Sequence, residues 1–567
     1  MTATVSTTEA IDQALFELAG RKDEWARLSM GERIRLLDGL RRRTDFAALR
    51  WVTAAVEAKG LSAEQAGEEW LQGPYAVLRA AAALGTSLRR LAAGHTTFKP
   101  GWVRVRPDGQ TVVRVLPVDW FEPLVLSGYR VDQWMRPGVT PANLAEHTAP
   151  FYREAHPSGR VCGVLGAGNV GAIPPLDALS KLFGEGEVVA LKLNPVNDYL
   201  GPIFEEIFYD FLERGFMRIL YGGANVGASL VRHPLVDTVH LTGSGRTHDA
   251  IVFGDGPEGA MRRQAEQPVL TKPISSELGG VSPFIVVPGP WSRADYVYQA
   301  ENFLTQKLLN GGFNCIAAQV LVLADAWAGT DLFLDQVHRL IEAQPVRPAY
   351  YPGGDARRNA VAAEAGSMTI GASPCTHLVD LDPDADHRAF TEEFFSAAFA
   401  STRLPRLEPG EFLDTAVEFA NQRLAGNLGA VVVVHPATRR ALGERFDRAI
   451  AGLRYGGIGV NVWSAFNFLT PRAAWGAFAG NRIGEVESGI GAVHNTLLFD
   501  RPEKSVAYGP FRPLSRSWSA GELHVSPKPP WFLTARTGPR TSELFTRFAA
   551  DHGLRHIPPL MLSALRG

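Results

Sequence analysis

Cysteine is scarce. Three residues, Cys162, Cys315 and Cys375, are too few for a disulfide framework and too widely spaced for a zinc knuckle. Long apolar runs are missing too, since no stretch approaches the roughly 18–20 residues that a membrane span needs. The opening MTATVSTTEAIDQ lacks the basic-then-apolar layout of a secretory signal. Nor is there an excess of charge: 57 Lys and Arg against 59 Asp and Glu leave −2, which gives no electrostatic ground for a nucleic acid or an acidic membrane as partner. No internal repeat or low-complexity tract is present. The expected compartment is the cytoplasm, where at least one thiol is free to react.

What is there reads as an α/β protein. With 567 residues, 46% of them hydrophobic and 20% charged, the chain is too long for one core and should form two large lobes with appendages. Ser29 and Glu32 are spaced to cap a helix running through Ile34, Leu37 and Leu40. Between Phe98 and Val118 the pattern turns to alternation about Asp108-Gly109, a β-hairpin signal. This hairpin is expected to stand away from both lobes and add to a sheet in another subunit. From Arg160 to Thr242, short β-rich runs alternate with helical ones, which implies right-handed βαβ units and a parallel sheet of the dinucleotide type. A second such series begins at Pro283 and includes AAQVLVLA, LGAVVVVH and GIGVNVW. The segment Phe253 to Pro273 has loop composition and reads as a mobile surface insertion, with a lid as the alternative. The tail after Pro529 should pack back onto the protein. The expected domains are 1–95 with 120–278 (dinucleotide-binding), 96–119 (oligomerisation hairpin), 279–470 (thiol-bearing, catalytic) and 471–567 (return segment, bridging strand and tail).

Three places carry candidate chemistry. Asn169 follows the run VCGVLGAG, at the carboxyl edge of a strand where α/β proteins place ligands. Gly166, Gly168 and Gly171 nominally spell a dinucleotide fingerprint, but the next strand ends in Lys192 where an acidic residue is wanted. Glu277 lies in ELGG, where two glycines let the backbone turn and direct the carboxylate into a cleft. Cys315 closes the loop NGGFNC, where a thiol can face a cleft and have its pKa lowered. Cys162, inside an apolar strand, reads as a small core residue, and Cys375 as an inert loop thiol.

In sequence order these pieces resemble the aldehyde dehydrogenase superfamily over most of the chain. Trp25 to Leu40 resembles its first helices, and Asn169, Lys192, LTGS (241–244), ELGG, GFNC, Glu392-Glu393-Phe394-Phe395 and ESGIGAVHN (487–495) resemble its later motifs. The resemblance implies two α/β lobes with parallel sheets and a protruding hairpin. It also implies NAD(P)-dependent oxidation of an aldehyde to a carboxylic acid. Cys315 would be the nucleophile and Glu277 the base for the deacylating water, while Asn169 and the Cys315 N–H would hold the oxyanion. Lys192 would bind the adenosine ribose, Gly243 and Ser244 the pyrophosphate, Glu393 the nicotinamide ribose, with Phe395 packing nearby. A homodimer or homotetramer is implied as well.

The chain departs from the pattern at GAGNVGAIPP, at Leu193-Asn194-Pro195 (which leaves NAD and NADP both open), at Phe313, and in the segments after His248, from Asp119 to Arg160 and beyond Pro529. A CoA-acylating aldehyde dehydrogenase and a non-catalytic scaffold are the alternatives; the intact glutamate of ELGG favours hydrolysis over transfer to CoA. Trp463, Phe466 and Phe468 fit either the lining of an apolar or aromatic substrate tunnel or ordinary core.

Overall fold

The computed structural model describes residues 4–405 and 408–567. Two sheets organise the chain. The smaller has six strands in the spatial order Gly489–Ile490, Ile274–Leu278, Thr238–Gly243, Val161–Leu165, Val188–Lys192 and Met217–Leu220. All pairs are parallel except the first. The two strands Val161–Leu165 and Val188–Lys192 are buried at every position, as a parallel strand covered on both faces must be. Trp25, from the first helix Thr8–Ala26, fills this core against Phe183 and Phe216. Ser29 caps the next helix, Met30–Lys59, by accepting the Glu32 N–H.

The larger sheet has eleven strands. Its middle runs Pro502–Tyr508, Gly457–Val460, Gly429–Val433, Ser282–Val286, Ala318–Ala324, Ala398–Leu404 and Cys375–Leu381, all parallel. Ser367–Ile370 closes one edge antiparallel. At the other edge Arg130–Met135 pairs antiparallel with Pro502–Tyr508, followed by Thr111–Leu116 and Val103–Val105.

That edge corrects the expectation for residues 96–119. The hairpin does not stand away from the lobes; it extends the thiol-bearing sheet of its own chain. The reason lies in Thr111–Leu116, which buries both faces. Val112 joins Trp134 in the core beneath the sheet, while Val113 and Val115 pack with Val131 and Phe466 on the other side. A strand apolar on both faces cannot sit in solvent. Asp132, nearly fully buried, ties the edge down by accepting from Arg104 and Arg114 with Arg130 beside it.

Two other segments differ from their sequence reading. Within 253–273 the helix Gly256–Gln264 forms, and Asp255, Val269 and Leu270 line a groove, so this segment is a wall and not a detached insertion. Cys375 starts a strand and is fully buried, with its thiol pushed up to about 12, foremost by burial. The tail folds back, its helix Gly538–Asp551 packing Phe545 and Ala549 with Leu71, Tyr75 and Leu78. Among the described residues no helix is long and apolar enough to cross a membrane.

Candidate active site

The helix Arg293–Leu308 leads into a turn in which Asn310, Gly311 and Gly312 all take positive φ, 57°, 68° and 82°. A Cβ on Gly312 would lie 2.7 Å from the Ser396 carbonyl oxygen, so glycine is required there. The turn presents Cys315 and also fixes Asn169. The Asn310 amide donates to the carbonyls of Asn169 (2.8 Å) and Phe313 (3.1 Å), and its oxygen accepts from Lys59 Nζ and Tyr350. Asn169 Nδ2 in turn donates to the Phe313 carbonyl at 3.0 Å. One of its two N–H bonds is thus used in holding the two loops together, and the second is left for a ligand.

Glu277 sits on the strand Ile274–Leu278, almost completely buried. The Cys315 thiol donates to its Oε1 at 3.1 Å, and the Trp475 indole N–H donates to its Oε2 at 2.8 Å. Burial pushes the Glu277 carboxyl above the usual carboxylate range. Burial, and then the negative charge of Glu277, push the Cys315 thiol well up. This reverses the expectation of a depressed thiol pKa. The loop brings the sulfur beside a carboxylate and an apolar cavity, and both features raise the thiol.

The sequence reading missed what stands behind Glu277. Trp475 and His494 are cross-strand partners. His494 Nε2 bonds Asp177 Oδ1 at 2.9 Å, and Asp177 accepts from Thr242 at 2.9 Å. Thr242 is the strand neighbour of Glu277. Burial pushes Asp177 up, but His240 and His494 outweigh it and hold the carboxyl at about 2. A signal was available: an aspartate among PPLDAL and a histidine in GAVHN lie in apolar runs, where a polar side chain needs a partner.

Lys192, Gly243, Ser244, Glu393 and Phe395 all line one groove, and Asn169, Glu277 and Cys315 lie on its walls too. Its free volume is about 1130 Å³. Ser244 caps the eight-residue helix Gly245–Val252 by accepting the Thr247 N–H at 3.2 Å, and this helix start, with Arg246 and Thr247, lines the groove. Lys192 ends its strand with its pKa lowered by burial and partly restored by Asp198. Gly166, Gly168 and Gly171 serve packing: Cβ atoms there would meet Pro174, Asn194 and Trp51.

Glu393 rests on the backbone of Gly279, where a Cβ would come within 2.0 Å of its Oε2. Its Oε1 is buried without a partner among the described residues, and burial pushes the carboxyl up to about 8. Because the folded pKa lies above the unfolded one, this group favours the folded state below about pH 4.5, and the advantage is lost as the pH rises through about 8. Glu393→Gln should therefore raise Tm at pH 9 by about 2–4 °C relative to the parent and change little at pH 5, measured by thermal melts at both pH values. Equal shifts at the two pH values would exclude a buried neutral carboxyl.

On the far side of Cys315 lies a small, mostly apolar cavity whose walls include Trp463, Phe466, Phe468 and Trp475. It leaves about 60 Å³ in which the centre of a water-sized group can move. Cys315 and Glu277 border both this cavity and the groove. A wide groove with mixed polar and apolar walls and a small apolar pocket thus meet at one thiol and one carboxylate.

Residues 137–350 match the family model described as aldehyde dehydrogenase family. Among curated relatives, an N-succinylglutamate 5-semialdehyde dehydrogenase of Sphingopyxis alaskensis is 26% identical over 37% of this chain and 45% of its own length. A succinate-semialdehyde dehydrogenase [NADP(+)] of Mycolicibacterium paratuberculosis is 29% identical over 35% of this chain and 41% of its own. The chain thus spans under half the length of these relatives. Among solved structures, a mutant aldehyde dehydrogenase C from Pseudomonas syringae, complexed with NAD+ and octanal, aligns with TM-score 0.60 at 16% identity over 90% of both chains. An NADP-dependent glyceraldehyde-3-phosphate dehydrogenase from Bacillus halodurans, complexed with NADP, aligns with TM-score 0.58 at 16% identity over 88% of this chain and 91% of its own. At such identities the structural matches establish a shared fold.

Proposed function

We propose that this chain is a member of the aldehyde dehydrogenase superfamily and oxidises an apolar aldehyde to its carboxylate with NAD or NADP as hydride acceptor. The observation that carries this reading is the Cys315 thiol bonded to Glu277 at the meeting of the groove and the apolar cavity. The groove fits a dinucleotide on this structure's own terms: a helix start for the pyrophosphate, Lys192 for a ribose, and the unpartnered Glu393 oxygen for hydroxyl donors near Cys315. When bound there, the dinucleotide supplies the hydride acceptor.

The residues of this chain do the rest. Glu277 accepts the thiol proton, and the Cys315 sulfur attacks the carbonyl carbon. The second Asn169 N–H and the Cys315 backbone N–H receive the oxyanion. After hydride departure the acyl group remains on Cys315 as a thioester. Glu277 passes that proton to solvent, then takes one from the water that cleaves the thioester and returns it to the departing Cys315 thiolate. The sum is aldehyde, water and oxidised dinucleotide to carboxylate, reduced dinucleotide and two protons. Trp475 holds Glu277 in place for both transfers. A base already bonded to the sulfur supports water over CoA as acyl acceptor. The solved relative with octanal supports an apolar substrate.

A panel of aldehydes with NAD and NADP tests the reading. Reduced dinucleotide should form without CoA, and strict CoA dependence would move the chain to the acylating class. Lys192→Ala should raise KM for the dinucleotide about tenfold with kcat within twofold, as expected for one lost charge-assisted hydrogen bond. An unchanged KM would remove Lys192 from the binding site.

A further inference from the structure

Two of the segments that set this chain apart, the stretch after Asp119 and the tail, come together beside the active-site cavity. Val125, Leu126 and Tyr129 from the first, with Phe545, Leu560 and Met561 from the second, line another apolar cavity, with about 30 Å³ open to the centre of a water-sized group. Trp531 belongs to its wall and also to the wall of the Cys315 cavity; no other described residue belongs to both. Three aromatic rings stand at the partition, beside Leu71 and Leu469. Trp531 lies 5.9 Å from Tyr129 and 5.7 Å from Phe466 between ring centres, and Tyr129 stacks on Phe466 at 4.8 Å.

The segment around Trp531 is fastened by hydrogen bonds, while the Trp531 ring is held by packing. Lys528 Nζ donates to Glu301 at 2.8 Å, and the Leu533 N–H donates to Thr305 at 3.1 Å, both on the helix that leads to Cys315. Pro529 and Pro530 stiffen the approach. The Trp531 indole N–H has no hydrogen-bond partner among the described residues, and the residue is half-buried. Such a ring is held by packing alone and can turn without breaking a polar contact.

We infer that Trp531 is the movable end wall of an acyl channel, and that the substrates are unbranched aliphatic aldehydes whose chains run from Cys315 past Trp531 into the cavity beneath the C-terminal helices. The inference rests on the proposed aldehyde oxidation and adds the substrate's shape. A straight alkyl chain suits two apolar spaces in series, whereas a branched, aromatic or charged substituent would have to stop at the partition. Each methylene that leaves water for the channel should raise kcat/KM about fourfold until the end wall is met.

The test compares kcat/KM from acetaldehyde to dodecanal in the full chain and in two variants. In the parent the rise should break at an intermediate length. In Trp531→Ala the break should move to longer chains. In Leu560→Trp, which fills the second cavity, the longest aldehydes alone should lose at least tenfold. Superimposable profiles in all three proteins would overturn the inference while leaving aldehyde oxidation intact. If none of the three oxidises any aldehyde, the proposed function fails, and calorimetry with butanone and methyl nonyl ketone decides the channel separately. There Leu560→Trp should weaken only the longer ketone, and equal affinities across the proteins would overturn the channel.

Discussion

Replacing Cys315 by alanine is expected to lower kcat for aldehyde oxidation by at least about 10⁴-fold while leaving dinucleotide affinity within about twofold. The size follows from the arrangement. No other described thiol can substitute, because Cys162 and Cys375 are fully buried in strands of the two sheets. The groove that would hold the dinucleotide is built mainly from the smaller sheet and its loops, and Cys315 touches only one end of it. Fluorescence titration with reduced dinucleotide measures the binding and steady-state absorbance the turnover. A variant that keeps more than about a hundredth of the parent rate would remove Cys315 as the nucleophile. The substitution has a second consequence. It takes away the donor to Glu277 Oε1 and leaves a buried carboxyl with Trp475 alone. Cys315→Ser restores a donor without restoring the nucleophile, so it should match the alanine variant in rate and exceed it in Tm.

Most of the fold was legible because its strands are short, β-branched and buried on both faces. VCGVL, VVALK, AQVLVLA and GAVVV read as parallel strands and are parallel strands. The hairpin at 103–116 forms about Asp108-Gly109 as its alternation suggests, but its place in the sheet follows from a different signal. VVRVL is nearly continuous in hydrophobicity, and continuity, not alternation, marks a strand covered on both sides. The eight site residues taken from ordered motifs do converge on one groove and one thiol. The supports did not show, since Trp475, His494 and Asp177 lie 198, 317 and 65 residues from the partners they hold, Glu277, Asp177 and Thr242. Local spacing carries no trace of such pairs. The direction of the thiol shift was equally hidden, because it depends on which charge the fold sets beside the sulfur.

Glu277→Gln should separate the two tasks assigned to that side chain. In the parent, the Glu277 carboxyl sits above its ordinary range and the thiol above its own, so kcat/KM should climb with pH as the pair loses its first proton. That acid limb should lie higher than an exposed glutamate would place it. With glutamine, no base is bonded to the sulfur. The acid limb should vanish, kcat at neutral pH should fall about 10²–10³-fold, and activity should rise only at alkaline pH, where bulk hydroxide removes the thiol proton. Rapid mixing then distinguishes the steps. At alkaline pH the variant should show a fast burst of reduced dinucleotide followed by slow turnover, because acylation is rescued by solvent while thioester cleavage still lacks its base. At neutral pH the burst itself should be slow. A burst of parental speed at neutral pH would leave Glu277 to the water alone, and loss of the burst at every pH would mean that the carboxylate serves chiefly to position the sulfur. Stability carries an independent sign. A carboxyl raised in the folded state favours folding at low pH and ceases to do so as the pH rises through its folded value, so Glu277→Gln should gain Tm over the parent on the alkaline side. The substitution that disables the chemistry should also relieve the cost of burying its charge.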